Sequence, residues 1–221
     1  MVSRETSRDL PEWMEPARPG LIRYSEILAG PGLDRGLMGP RELPRMWERH
    51  ILNCAVVAEP QLGLIPRGSL VADVGSGAGL PGVVWALVRP DISMVLIEPL
   101  LRRATFLTET VLDLGLSDRV TVLRGRAEKV MATPGWAGVD VVTARAVAPM
   151  DRLLGWTMPL LKADGALVAL KGSNAPSELE QAEGMLREFG VTSTEVISCG
   201  SGVVEPETTV VVARRGSSST D

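Results

Sequence analysis

The stretch Asp73-Val-Gly75-Ser-Gly77-Ala-Gly79-Leu-Pro-Gly82 carries the strongest chemical signal in the 221 residues. Glycines at alternate positions let the backbone turn sharply and let a ligand approach with no Cβ in the way. A helix opening directly behind them adds unpaired backbone amides, and the combination makes a nucleotide-type pocket. Gly77-Ala-Gly-Leu-Pro-Gly82 also satisfies the dinucleotide fingerprint, so a nicotinamide-dependent dehydrogenase is a competing reading. Both readings want an acid for ribose hydroxyls at the end of a second strand, and Glu98 stands 19 residues after Gly79. Acids near the pocket suit a cationic cofactor, whereas a pyrophosphate would be repelled by them.

Such a loop needs a strand before it and a helix after it. Residues 69–74 read as a strand, 80–88 as a helix, 93–98 as a second strand and 100–114 as a helix closed by Gly115. Leu100, Ala104, Leu107, Val111 and Leu114 recur at three- or four-residue steps, which predicts the buried face of that helix. Strands at 120–123, 139–144 and 166–170 follow, with helices at 150–161 and 177–189. This alternation predicts an α/β fold with a mostly parallel, doubly wound sheet covered on both faces. Runs 193–199 and 208–213 leave no room for a crossover helix, so they must pair antiparallel and complete a sheet of seven strands. The first 60 residues differ, because Pro11, Pro16, Pro19, Pro31, Pro40 and Pro44 divide them and only short helices are expected. The clearest helix spans 43–59, with Pro44 in its first turn. The expected organisation is a helical N-terminal cap over 1–60, the α/β domain over 61–215, and a frayed tail over 216–221.

Composition limits the function. With 45% hydrophobic and 23% charged residues the chain can bury a core and is not a disordered tail. Twenty Arg and three Lys face 27 carboxylates, for a net charge of −4. That balance argues against holding nucleic acid by bulk charge and leaves room for a local basic patch. Residues 1–10 carry Arg4, Glu5, Arg8 and Asp9 with no apolar stretch behind them, so no secretory signal is expected. The longest uncharged run near the middle, residues 74–88, has 15 residues, short of the ~20 that span a bilayer. A cytoplasmic location is expected. Cys54, Cys199 and the single histidine, His50, supply neither zinc spacing nor a disulfide framework, so no metal is expected and both thiols read as small buried side chains. The five tryptophans (Trp13, Trp47, Trp85, Trp136 and Trp156) are too scattered for a base-stacking platform and read as packing.

Asp73 ahead of the first glycine, the alternate glycines and the closing antiparallel pair resemble the class I S-adenosylmethionine-dependent methyltransferases, which have a Rossmann-like fold. A narrower resemblance is carried by Glu48-Arg49-His50-Ile-Leu-Asn53, the glycine run through Leu80-Pro81-Gly82, and residues 103–107. Arg124-Gly-Arg-Ala-Glu128, Thr143-Ala-Arg-Ala146 and Ala169-Leu-Lys-Gly172 continue it in the same order. From about Pro44 to Ala213 the chain resembles the RsmG (GidB) family, bacterial enzymes that methylate N7 of one guanine in small-subunit (16S) ribosomal RNA. Residues 1–42 match poorly, with Gly36-Leu-Met-Gly-Pro40 where many members have an Asn-Leu-Thr stretch.

The resemblance implies S-adenosylmethionine as cofactor, and 16S ribosomal RNA or the small subunit as partner, with no membrane and no obligate protein partner. It implies Gly75 and Leu80 on the methionine side with Asp73 and Gly77 in the same loop, and Ala127 and Glu128 at the adenine. Glu98 keeps its ribose role. Arg145 would reach the cofactor or the incoming base, against the alternative of a surface ion pair. Arg49 and His50 would lie at the mouth, against a helix-end arginine and a packed, hydrogen-bonded histidine. Lys171 would meet an RNA phosphate, against a solvated charge, and Arg102, Arg103, Arg119, Arg124 and Arg126 would add a basic rim. No catalytic residue is assigned, because guanine N7 has a lone pair and no proton and its methylation needs no general base. A small-molecule or protein methyltransferase and a non-enzymatic RNA-binding factor stay open beside the dehydrogenase.

Overall fold

The structure, a computed structural model, describes residues 10–216. The expectations on a leader in residues 1–9 and on the tail beyond Gly216 lie outside the described residues.

Seven strands form one sheet: β1 (Leu70–Val74), β2 (Ser93–Glu98), β3 (Val120–Arg124), β4 (Val139–Arg145), β5 (Leu161–Lys171), β6 (Val191–Cys199) and β7 (Thr208–Arg215). Their order is β3-β2-β1-β4-β5-β7-β6. The pairings from β3 through β5 are parallel, and β7 runs antiparallel to both β5 and β6. The direction of winding reverses between β1 and β4, which opens a crevice at their carboxyl ends.

Alternation along the strands decides the core. Val71, Met94, Leu96, Val141 and Val168 face one apolar cluster, while Ala72, Val95, Ile97, Val142 and Leu167 face the other. A period of two thus sends successive residues to opposite faces, and both faces are covered, which explains the near-continuous apolar strands. The first face is covered by α3 (Gly82–Val88), α4 (Leu101–Asp113) and the N-terminal helices. The second is covered by α5 (Ala127–Met131), α6 (Met150–Thr157), α7 (Ala175–Gln181) and α8 (Glu183–Glu188). On α4 the expected Ala104, Leu107 and Val111 are buried, but Leu100 is exposed and Phe106 takes a core place instead.

The N-terminal segment is more helical than its prolines suggested. A 3₁₀ turn (Glu12–Ala17) runs into α1 (Arg18–Ile27) and on through a π turn (Leu28–Gly32). Pro19 sits in the first turn of α1, where no backbone N–H is needed. A second run joins a 3₁₀ segment (Pro40–Arg45), a π segment (Met46–Leu52), α2 (Asn53–Ala55) and a further 3₁₀ turn (Val56–Ala58). Met14, Leu21, Tyr24 and Trp47 from these runs share one core with Val83 and Leu107 of the α/β portion. Trp47 and Trp85 are fully buried, and Cys54 and Cys199 are free, buried thiols.

Candidate functional site

The glycine run turns at the carboxyl end of β1, with Gly75 at φ 72°, Gly77 at φ 58° and Gly79 at φ 102°. Side-chain-free backbone serves two purposes here. A Cβ on Gly77 would meet nothing nearer than 3.8 Å, so this residue leaves open space for a ligand. One on Gly79 would come within 2.5 Å of Val83 and 3.0 Å of the Tyr24 hydroxyl, and one on Gly82 within 2.4 Å of Leu96. These two glycines therefore serve close packing rather than ligand approach.

Three anchors hold the loop. Gly75 and Ser76 both donate their amides to the Ile97 carbonyl, at 2.9 and 3.2 Å. Glu98 accepts from the Gly77 amide (2.9 Å) through one carboxylate oxygen and from the Leu100 amide (2.9 Å) through the other. Each oxygen keeps a lone pair, although the residue is buried, with 1% of its surface exposed. The third anchor is Tyr24 of α1, whose buried hydroxyl donates to the Ala78 carbonyl at 2.7 Å.

Asp73 lies fully buried beneath the loop. Its Oδ2 accepts the Gly82 amide at 3.0 Å, while its Oδ1 is buried with no partner among the described residues. Burial pushes the carboxyl up to about 7, opposed by the Gly82 amide, the Ser76 hydroxyl and the Arg145 charge. A buried carboxylate with one oxygen unpaired, under an open glycine loop, suits a positively charged ligand, since a nearby cation would favour its ionised form. Leu80 is buried in the core beside this loop. Ala127, buried, and Glu128, exposed, open α5 just past the end of β3, whose last residue Arg124 is the register partner of Glu98.

On the other side of β1, a cavity of about 1070 Å³ opens over the ends of β4, β5 and β7 and is bordered by Arg49, His50, Arg145 and Lys171. All four of those expected residues thus come together on one cavity. Glu48, Glu178, Glu205 and Glu207 also line it, so its walls are mixed in charge.

Arg145 at the end of β4 places its Nη2 3.1 Å from His50 Nδ1, and His50 Nε2 lies 2.8 Å from Glu42. A guanidinium has only hydrogens to offer, so Nδ1 must be the acceptor and the ring proton sits on Nε2, donated to Glu42. Burial and the Arg145 charge lower the His50 pKa from its ordinary value, with Glu42 opposing. Hydrogen bonding to His50 in turn lowers that of Glu42. With both ring nitrogens engaged, His50 is no spare proton acceptor. Arg49 is 59% exposed at the rim, 3.8 Å from Glu42.

Lys171 borders the cavity with its side chain only 8% exposed, paired with Glu178 at 2.5 Å and donating to the Ala148 carbonyl at 2.8 Å. Glu178 also accepts the Met150 amide at 2.9 Å. These bonds hold the end of the 146–149 loop, at whose start Ala146 adopts φ 54°, a left-handed conformation that costs a residue with a Cβ about 1–2 kcal/mol. Val147 packs on Gly75: a Cβ there would sit 3.0 Å from the Val147 methyl. This loop therefore forms the wall between the glycine loop and the cavity.

Arg102 and Arg103 at the start of α4, and Arg124 and Arg126 at the end of β3, are exposed along the same carboxyl edge. Arg119 leaves that rim, because it precedes β3 at the opposite edge and donates to the Ala86 and Arg89 carbonyls. Among the described residues no cluster of His, Cys, Asp and Glu could hold a metal ion, and no helix is long and apolar enough to cross a membrane. Sequence reasoning missed Tyr24, Glu42 and Glu178, each of which works through a partner distant in the chain. The only available signal was that Tyr24 is the sole tyrosine.

Known proteins resemble the chain in fold and in sequence. A solved S-adenosylmethionine-dependent methyltransferase from Aquifex aeolicus superposes with a TM-score of 0.56 at 19% identity, covering 81% of this chain and 100% of that one. The chain is 55% identical over 197 residues to the ribosomal RNA small subunit methyltransferase G of Streptomyces avermitilis, covering 89% of this chain and 80% of that protein. It is 56% identical over 193 residues to the protein of that name from Thermobifida fusca, covering 87% and 78%. The family model described as rRNA small subunit methyltransferase G matches residues 18–207, nearly the whole described chain, and the protein belongs to this GidB family.

Proposed function

We propose that the protein transfers a methyl group from S-adenosylmethionine to N7 of a guanine in 16S ribosomal RNA, acting in the cytoplasm on the RNA or the small subunit. The observation that carries this reading is the pairing of an open glycine loop over an orphaned carboxylate with an adjoining cavity, in a chain whose relatives at about 55% identity carry that ribosomal RNA name. When bound, S-adenosylmethionine supplies a methyl carbon made electrophilic by its sulfonium.

Asp73 offers negative charge to the cationic end of the cofactor, Gly77 leaves open space for its approach, Gly75 under Val147 borders its methionine end, and Leu80 closes the apolar side. Glu98 has acceptor capacity for ribose hydroxyls, and Ala127 with Glu128 borders the adenine. The guanine enters from the cavity side, where Arg49, His50 and Arg145 stand. Because N7 carries a lone pair and no proton, the chain needs no residue to take one, which agrees with His50 being engaged at both nitrogens. Rate acceleration then rests on holding N7, methyl carbon and sulfur in line. A guanidinium donating to N7 would tie up the attacking pair and face the cationic product, so Arg145 acts at guanine O6 or a phosphate. Recognition depends on folded RNA shape with a few arginines, in keeping with a net charge of −4.

The test is methyl transfer from labelled S-adenosylmethionine to small subunits and naked 16S RNA prepared from cells lacking the gene. Label at one guanine, released by chemistry specific for N7-methylguanine, is expected. Label on exocyclic amines or ribose, or none on RNA, would refute the reading.

A further inference from the structure

We infer that Lys171 and Glu178 are positioning residues that fix the 146–149 loop against Gly75 and so set how tightly the cofactor is held from outside the cofactor loop. This deepens the proposed function and rests on it for the cofactor's identity. One ion pair grips the loop on both sides of Pro149: Lys171 from the end of β5 donates to the Ala148 carbonyl, and Glu178 from α7 accepts the Met150 amide. Between β4 and that grip the chain takes a left-handed turn at Ala146. A strained conformation of this kind persists only where its surroundings over-determine it. The next residue, Val147, rests directly on Gly75, at the opening of the glycine run. Displacing the loop would therefore disturb the surface against which the methionine end of the cofactor is placed.

The same contacts argue against Lys171 as a phosphate ligand. Its ammonium is largely buried and two of its three protons already have protein partners. A lysine that binds RNA phosphate would contribute to the salt dependence of RNA affinity, whereas a positioning lysine would not.

Lys171→Met removes the charge and keeps the length, while Glu178→Gln keeps an oxygen for both the Met150 amide and the ammonium. Calorimetric titration of the full chain with S-adenosylhomocysteine is expected to show affinity about tenfold weaker in Lys171→Met and within about threefold of wild type in Glu178→Gln. The slope of log affinity for 16S RNA against log salt concentration should match wild type in both. Unchanged S-adenosylhomocysteine affinity in Lys171→Met overturns the inference. So does a salt slope shallower by ~0.7–0.9, which would mark one lost phosphate contact. Should Lys171→Met fail to fold, Val147→Ala decides: it removes the contact on Gly75 without touching the ion pair, and weaker cofactor binding is expected while unchanged binding overturns the inference. Wild-type protein that does not bind S-adenosylhomocysteine would refute the cofactor reading itself, a result distinct from variants that bind as wild type does.

Discussion

Asp73→Asn should make the protein more stable and its cofactor site worse. Burial raises the Asp73 carboxyl from 3.8 to about 7 in the cofactor-free chain. At 1.36 kcal/mol per pH unit, this amounts to roughly 4 kcal/mol against the ionised form. The folded chain therefore holds a proton that the unfolded chain loses near 3.8, so this site's contribution to stability falls as pH rises from about 4 to about 7 and is flat above. A carboxamide is neutral throughout; its oxygen can still accept the Gly82 amide, but its NH₂ replaces an oxygen that has no partner. Leaving that donor unsatisfied costs about 1–3 kcal/mol, for a net gain at pH 8 of roughly 1–3 kcal/mol. At ~2–4 °C per kcal/mol this is a rise of several degrees in melting temperature at pH 8, and a fall of similar size at pH 4, where the carboxyl is already neutral and the cost of the unsatisfied donor stands alone. Cofactor binding should move the opposite way. If the bound cation returns the carboxyl by two of the roughly three pH units by which burial raised it, the neutral variant binds S-adenosylhomocysteine about 100-fold more weakly at pH 8. Wild-type affinity should also fall by up to tenfold per pH unit below 7, and that of Asp73→Asn should not. Melting curves at both pH values and calorimetry across pH 5–8 provide the assays. A variant that melts lower at pH 8, or that keeps wild-type affinity with an unchanged pH profile, refutes the assigned role of Asp73.

Gly75→Val combines a left-handed backbone with a side chain aimed at Val147 from 3.0 Å, so binding of S-adenosylhomocysteine should be lost in a protein that still shows native circular dichroism. Tyr24→Phe leaves the Ala78 carbonyl without its donor; a loss of about 1–3 kcal/mol in stability is expected from denaturant titration, with weaker cofactor binding, although Tyr24 lies in the N-terminal helix. Protonation of His50 would remove the acceptor that holds Arg145, and its pKa lies below 6.5. At saturating cofactor, methylation should therefore fall on an acid limb below pH 6.5. The unfolded chain protonates this site first, so stability falls with it over the same range. Glu42→Ala should shift that limb to lower pH, since Glu42 raises the His50 pKa, and should slow the neutral-pH rate about fivefold, the ~1 kcal/mol of one hydrogen bond. A limb that does not move would count against the linkage.

The elements that position the loop could be read from local pattern because their signals are local. β1 and β2 are found within a residue of expectation, since β-branched runs bounded by glycine and proline have few other conformations. β5 begins at Leu161 rather than 166. Lys162-Ala-Asp-Gly165 has the composition of a turn, yet Gly165 packs where a Cβ would be 2.9 Å from Leu161 and 3.1 Å from the Asp140 carbonyl. The helix expected over 177–189 breaks at Ala182 into α7 and α8. In the N-terminal segment, prolines read as breakers fall at an N-cap (Pro11), in first turns (Pro19 and Pro40), inside 3₁₀ segments (Pro16 and Pro44) and in a π turn (Pro31). The site divided in the same way. Glycine spacing and the acid at Glu98 are visible in one dimension. The pairing of Arg145 with His50, 95 residues apart, and of Tyr24 with Ala78, 54 apart, follows from topology that no window on the sequence contains. Lys171 is the instructive case, because its position past a strand end suggested a surface cation and only the fold reveals Glu178 beside it.

The central claim is methylation of guanine N7, and mapping that modification in small-subunit ribosomal RNA tests it most directly. RNA from cells with and without the gene, treated with borohydride and aniline to cleave at N7-methylguanine, should differ at one position. Cleavage at that position should return when the wild-type gene is restored and stay absent with Gly75→Val. Identical cleavage patterns with and without the gene would contradict the account.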